Sequence, residues 1–327
     1  MSITTSQQIA KWYDVYKSID VTLTKEILKT TGLDPRHVFM KCVGEQWPCV
    51  IYSTSFSGAK IIVSAKPILL EKIKRANNLV SLRFSFRFEG KADPLSFFVT
   101  GRATGFAPYQ AGGELQFMTL EYTQRPPDDL IEIMGRLLEA NINSARRREE
   151  RILLNPDSMR RLCLMSKDTI LTVQGVPRKC IVRDLSFSGA KLIIVGLAKF
   201  LVGKECLLRL EMDEPRETLD LKGSIVRYED VEGRKDLTAV AVRFEDQTVP
   251  MTYKIHINDF LGQVRQVRPE NAPGAEGAST AQPAAARPAP AQPAPAQAAS
   301  AQPAESPAPA GPAPAKAGGG VPHGQSR

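Results

Sequence analysis

The sequence has no apolar run approaching the roughly 20 residues that cross a bilayer as a helix. Its amino terminus, Met1-Ser2-Ile3-Thr4-Thr5-Ser6-Gln7-Gln8, has neither a basic start nor an apolar core. No secretory leader and no membrane insertion are therefore expected, and a cytoplasmic location is. Histidine is scarce: His37, His256 and His323 are the only three, far apart in the chain. Five cysteines (Cys42, Cys49, Cys163, Cys180, Cys206) are scattered with no C-x-x-C pair. That spacing argues against a zinc site and a disulfide framework, and reads as free thiols in a reducing compartment. There is no Walker loop, no nucleophile with a histidine in motif context and no paired metal carboxylates. The expectation is a protein that is not an enzyme and carries no metal or cofactor. With no coiled-coil heptads and no long exposed apolar stretch, a monomer is expected. Acid is also short: 43 Lys and Arg against 35 Asp and Glu give a net charge of +8 and a pI near 9.2. Such an excess invites a polyanionic partner and says nothing about fold.

The clearest positive feature is a repeat. Ser55-Phe56-Ser57-Gly58-Ala59-Lys60 recurs as Ser186-Phe187-Ser188-Gly189-Ala190-Lys191, an offset of 131 residues. The same offset pairs Leu23 with Leu154, Leu28 with Met159, Leu33 with Leu164, Gly44 with Gly175 and Cys49 with Cys180. Two copies of one domain follow. Short runs rich in branched residues make each copy β. In the second copy they are 169–173, 179–182, 190–195, 205–210, 221–228 and 237–244, with Gly175, Gly189, Gly203 and Gly233 between them. In the first they are 38–41, 49–52, 60–64, 81–88, 95–102 and 114–122. Six short strands per copy predict a mainly β protein of two tandem six-stranded antiparallel barrels.

Helices are expected at three places. Ile9, Trp12, Tyr13 and Tyr16 have helical spacing within residues 6–19. After Pro126-Pro127, Asp128 is placed to cap a helix with Leu130, Ile133, Met134, Leu137, Leu138 and Ile142 on one face. This joining helix runs straight into Arg146-Arg147-Arg148-Glu149-Glu150-Arg151. A third helix, 251–264, closes the second copy with Ile257, Phe260 and Leu261 on one side. Beyond Arg268 the chain is alanine, proline, glutamine and glycine, with thirteen of the 24 prolines between Pro269 and Arg327. Such a composition predicts disorder. The charges of the tail cancel (Arg287, Lys316 and Arg327 against Glu270, Glu276 and Glu305), so the +8 belongs to the rest. The expected divisions are 1–142, 143–268 and a tail, 269–327.

Two constellations carry chemistry: R-x-x-x-R at Arg147 and Arg151, and D-x-S-x-x-G at Asp184, Ser186 and Gly189. Arginine offers a planar fork for phosphate or a guanine edge and a flat face that stacks on a purine. A carboxylate accepts from guanine N–H groups. Together, and with the β-rich context and the late strand Ala241-Val242-Arg243-Phe244, these residues resemble the ligand signature of PilZ domains, bacterial receptors for cyclic di-GMP. The resemblance is good over about 147–250 and weak over the first copy. It implies that Arg147 and Arg151 grip phosphate and guanine, that Arg148 adds a contact, and that Asp184, Ser186 and Gly189 form a base-binding turn in which Gly189 permits a positive φ or a close backbone approach to the ligand.

At the offset of 131, Arg147, Arg148, Arg151 and Asp184 become Tyr16, Lys17, Asp20 and Ser53, while Ser186 and Gly189 are kept as Ser55 and Gly58. The first copy is thus expected to be a degenerate PilZ-like domain that does not bind the ligand. A degenerate copy followed by an intact one resembles the two-domain PilZ receptors of spirochaetes. The implied function is a cyclic di-GMP receptor in which ordering of 147–151 changes the interdomain arrangement and signals to an unidentified protein partner, with motility or gene expression as output. The competing expectation is a basic nucleic-acid-binding barrel, with Trp47, Tyr52 and Phe56 stacking on bases.

Overall fold

In the computed structural model, which describes residues 4–110 and 113–267, a period-two alternation of buried and exposed side chains builds two barrels. The first consists of β1 (Val21–Thr22), β2 (Phe39–Cys42), β3 (Glu45–Thr54), β4 (Gly58–Ser64), β5 (Leu79–Phe86), β6 (Leu95–Pro108) and β7 (Leu115–Tyr122). Neighbours run β3-β2-β5-β6-β7-β4, all antiparallel, and β4 returns to pair with β3, closing a six-stranded ring to which the two-residue β1 is appended. The second consists of β8 (Ile152–Leu153), β9 (Asp168–Val173), β10 (Val176–Ser186), β11 (Gly189–Val195), β12 (Glu205–Met212), β13 (Glu217–Val231) and β14 (Arg234–Phe244). Its ring, β10-β9-β12-β13-β14-β11, closes the same way, with β8 appended to β10. Closure leaves neither barrel a long free edge.

All twelve predicted strands are present, most of them longer at one or both ends. The 131-residue offset holds in three dimensions. β1 and β8 are equivalent, and both barrels carry a bulge at the same place, between Ile51 and Ser53 and between Val182 and Asp184. The hairpins entering β3 and β10 turn through paired left-handed residues, Val43 and Gly44 (φ 47° and 78°) and Gln174 and Gly175 (φ 49° and 81°). Two consecutive positive φ values suit the right-handed twist of a two-residue hairpin, and this explains the repeated glycine.

The helices are α1 (Ser6–Tyr16), α2 (Lys25–Thr31), α3 (Pro67–Arg75), α4 (Asp128–Arg146), α5 (Pro156–Arg161) and α6 (Met251–Val267). α1 stops three residues short of the expected end, where Ile19 is left 37% exposed and offers no anchor for another turn. α2, α3 and α5 have seven, nine and six residues, too short for an apolar period to declare itself in sequence. Asp128 is not the cap of α4. Pro127 takes that position, and Asp128 is the first helical residue, its carboxylate 2.9 Å from Arg125. An acid there still complements the positive end of the helix dipole.

α4 buries more than the one stripe predicted: Ile131 and Ala140 are buried along with Leu130, Met134, Leu137 and Leu138. The reason is that α4 is covered by α1 on one side and α6 on another. Between α4 and α6 the buried Asn143 donates from Nδ2 to Asn258 Oδ1 at 2.7 Å, Asn258 donates in turn to Glu139, and Arg136 pairs with Asp259. Met251 N–H donates to Glu26 at 2.7 Å and Lys29 pairs with Glu217 at 2.6 Å, so α2 joins the same seam. The expected disordered tail, 269–327, lies outside the described residues.

Candidate functional site

α4 delivers the arginine segment to the second barrel. Arg146 is the last helical residue, and Arg147 follows with φ −120° and ψ 34°, its N–H donating to Asn143 O at 2.8 Å. A turn closed by Glu150 N–H to Arg147 O leads into β8, whose Leu153 and Ile152 pair with Asp184 and Leu185 of β10. That pairing sets Arg151 beside Asp184. The guanidinium Nη1 lies 2.5 Å from Asp184 Oδ1, with the carboxylate side chain 8% exposed and the arginine 37%. The bulge between Val182 and Asp184 shifts the phase of β10: Asp184 shares the outer face with its partners Lys191 and Leu153 and pairs there with Arg151, while Leu185 faces the core with Ala190 and Ile152. The half-buried Arg147 has no side-chain hydrogen bond or ion pair among the described residues.

Ser186 and Gly189 close the hairpin between β10 and β11. Ser186 is fully buried, and its hydroxyl donates across the turn to Gly189 O at 3.2 Å. Its carbonyl accepts a hydrogen bond from the Tyr253 hydroxyl of α6 at 2.7 Å. Burial, and then the Asp184 charge, push the Tyr253 phenol well above its ordinary range, so it stays a donor. Gly189 differs from expectation. Its φ is not left-handed, and a Cβ there would lie 2.3 Å from Val242 O on β14. The glycine serves the close approach of two strands at the barrel seam. Gly58 does the same in the first barrel, 2.3 Å from Leu120 O.

Further residues hold the arginine segment that no sequence pattern pointed to. Arg148 makes a two-pronged pair with Asp246, at 2.6 and 2.8 Å. Its carbonyl accepts from the Ser188 hydroxyl at 2.8 Å and from Ser188 N–H at 3.3 Å, while Glu149 Oε1 lies 3.2 Å from the same hydroxyl. The segment 147–151 therefore has a defined turn docked on the hairpin. Only Ser188 carried a signal, as part of the repeated hexapeptide.

The first barrel lacks this assembly. Tyr16 is buried in its core, and Lys17 lies over the Tyr13 ring at 5.5 Å. Asp20 is exposed, and Ser53 takes the buried place of Asp184. What remains is the turn: Ser55 Oγ accepts from the N–H groups of Ser57 and Gly58, both at 3.2 Å. Nearby, the buried Tyr122 hydroxyl meets Thr54 Oγ1 at 2.9 Å.

The thiols are spectators. Burial pushes Cys49 and Cys180 up to about 12 and Cys206 to about 11, so they stay protonated. Among the described residues no group of three potential ligands could hold a metal, and no helix is long and apolar enough to cross a membrane. Of the aromatics considered for base stacking, Phe56 is 2% exposed and belongs to the core, and Trp47 is packed against that core. Tyr52 is 41% exposed, edge-on to Phe117 with Lys60 over both rings. They form no continuous stacking surface.

Comparison with known proteins assigns both halves. Residues 7–141 match the PilZN3 domain and residues 145–271 the PilZ domain. A cyclic di-GMP binding protein of Treponema denticola is 47% identical over 268 residues, which cover 81% of this chain and 85% of the relative. Among solved structures, PlzA of Borreliella burgdorferi in complex with c-di-GMP is 22% identical, with 78% of this chain and 98% of that one covered and a TM-score of 0.36. YcgR of Escherichia coli in complex with c-di-GMP is 11% identical, with 80% and 90% covered and a TM-score of 0.26.

Proposed function

This chain belongs to the PilZ family, a PilZN3 domain followed by a PilZ domain, and on that premise we propose that it is a receptor for cyclic di-GMP whose binding site lies in the second barrel. The observation that carries the reading is the meeting of Arg151 and Asp184, 33 residues apart in sequence, at the root of the Ser186–Gly189 hairpin. A fork that recognises phosphate or a guanine edge and a carboxylate that accepts guanine N–H groups are thereby within reach of one ligand. In this proposal Arg147 and Arg151 take phosphate and guanine. Asp184 reads the guanine N–H edge once Arg151 turns from it to the ligand. Arg148 adds a contact on leaving Asp246, and Ser186 and Gly189 shape the turn. We place the division between the two folded domains at 142/143 and the end of the second at 268.

Signalling follows from continuity. The segment that would rearrange, 147–151, continues α4, and α4 is bonded to α6 through Asn143 and Asn258. Ligand that pulls on the segment is transmitted to the seam between the barrels, a switch of the segment-rearrangement kind. The seam then presents a different surface to a protein partner, with motility or gene expression as the output.

Titration calorimetry of cyclic di-GMP into the full chain tests the reading. A micromolar or tighter constant, about −8 kcal/mol or better, is expected. Arg151→Ala should weaken it by about 2 kcal/mol or more, a loss typical of a charge-assisted contact. Heat that is absent from the folded protein, or unchanged in the variant, would contradict it.

A further inference from the structure

The end of β11 and the loop that leads to β12 carry the three most exposed large apolar side chains among the described residues: Val195 at 71%, Leu197 at 77% and Phe200 at 78%. The loop is not slack chain. Gly196 N–H donates to Asp236 O at 2.8 Å, and Gly196 O accepts from the Thr238 hydroxyl at 2.6 Å. Gly203 N–H donates to Ile225 O at 2.7 Å, which fixes the far end. In the middle, Ala198 and Leu201 are buried at 1% and 9% and bracket a 3-10 turn, Lys199–Leu201. Two residues anchored in the core thus make their neighbours, Leu197 and Phe200, project outward. Such exposure is costly in water and calls for a cover.

The charges say what covers it. Lys199 and Lys204 are exposed, neither is ion-paired among the described residues, and no acid occurs between Val195 and Lys204; Glu205 follows as the first residue of β12. We propose that this loop docks the second barrel onto an anionic lipid surface, with Leu197 and Phe200 entering among the headgroups and Lys199 and Lys204 reaching lipid phosphate. Lysine is depleted at the centre of protein–protein interfaces, whereas at a bilayer its stem lies against apolar surface and its ammonium meets anionic lipid. The loop is also particular to the second barrel. The first has α3 between its corresponding strands, which buries Leu69 and Ile73 and turns Glu71, Lys74 and Arg75 to solvent. Because β11 runs seven residues from Gly189 to Val195, about 20 Å, the loop stands at the end of the strand away from the hairpin site. Lipid and nucleotide therefore do not compete for space.

The test is sedimentation of the full chain with vesicles of phosphatidylcholine and phosphatidylglycerol in equal parts, beside vesicles of phosphatidylcholine alone. The wild type should bind the anionic vesicles and bind less as salt is raised. Leu197→Ser with Phe200→Ser, and separately Lys199→Glu with Lys204→Glu, should each weaken binding about tenfold or more. Thermal midpoint and cyclic di-GMP stoichiometry should not change in either. No binding to the anionic vesicles, or equal binding by the Leu197→Ser, Phe200→Ser variant, overturns the proposal. So does a wild-type dimer by light scattering that this variant dissolves, since the surface would then belong to a second copy. A soluble protein held by the wild type and lost by the variant, without vesicle binding, overturns it in favour of a protein partner.

Discussion

Arg151 and Asp184, which the sequence singles out because charged side chains at fixed short spacings followed by strands are uncommon, meet at the root of the Ser186–Gly189 hairpin. Asp246 and Tyr253 are not singled out in this way. They reach their partners Arg148 and Ser186 across 98 and 67 residues, and a single acid or phenol at such a distance leaves no pattern. Gly189 was legible as a residue and misread in role: glycine in a turn suggests positive φ, but here it accommodates a carbonyl of β14. That distinction has a measurable consequence. Gly58→Ala and Gly189→Ala face the same 2.3 Å obstacle, so each should lose about 1–3 kcal/mol of stability in urea unfolding. A glycine that only made room for ligand would leave stability alone and act at position 189 only.

Among the elements, strands were easier to read than helices. Alternation such as that of β4, with Ala59, Ile61 and Val63 inward, needs only six residues to show itself. α2 and α5 are no longer than seven residues and left no comparable trace. α4 was visible along one stripe, yet its second buried side depends on α6, which arrives more than a hundred residues later. The contact between these two helices includes the buried Asn143–Asn258 bond beside the Asn258–Glu139 and Arg136–Asp259 links. Asn143→Ala should cost about 1–3 kcal/mol in denaturant unfolding, because Asn258 loses a partner in a dry place. If α4 also carries the signal, the variant should retain cyclic di-GMP binding while the heat of binding changes. A variant as stable as the wild type would show that this bond does not hold the seam.

The whole molecule is two equivalent barrels, of which one carries the Arg147, Arg151 and Asp184 constellation, joined by a seam with its own electrostatics. His256 of α6 sits in that seam. Burial first, and Arg136 second, lower its pKa from the ordinary 6.5 to about 4, with Glu217 opposing. The folded protein thus holds His256 neutral, and the unfolded chain binds the proton better. The contribution of this residue is complete above about pH 6.5 and is lost as pH falls towards 4, amounting to ~3 kcal/mol at most. Urea unfolding between pH 7 and pH 4 should show the decline, and His256→Asn should flatten it; an equal slope in the variant would place the titrating group elsewhere.

The central claim is that the second barrel binds cyclic di-GMP and the first does not. Its most direct test is binding at saturation by the full chain beside Arg147→Ala with Arg151→Ala, both confirmed as folded. The account predicts that the wild type saturates with one site, holding one ligand or a stacked pair, and that the double variant binds nothing measurable. Saturable binding that survives the loss of both arginines would mean that the first barrel, or another surface, is a live site.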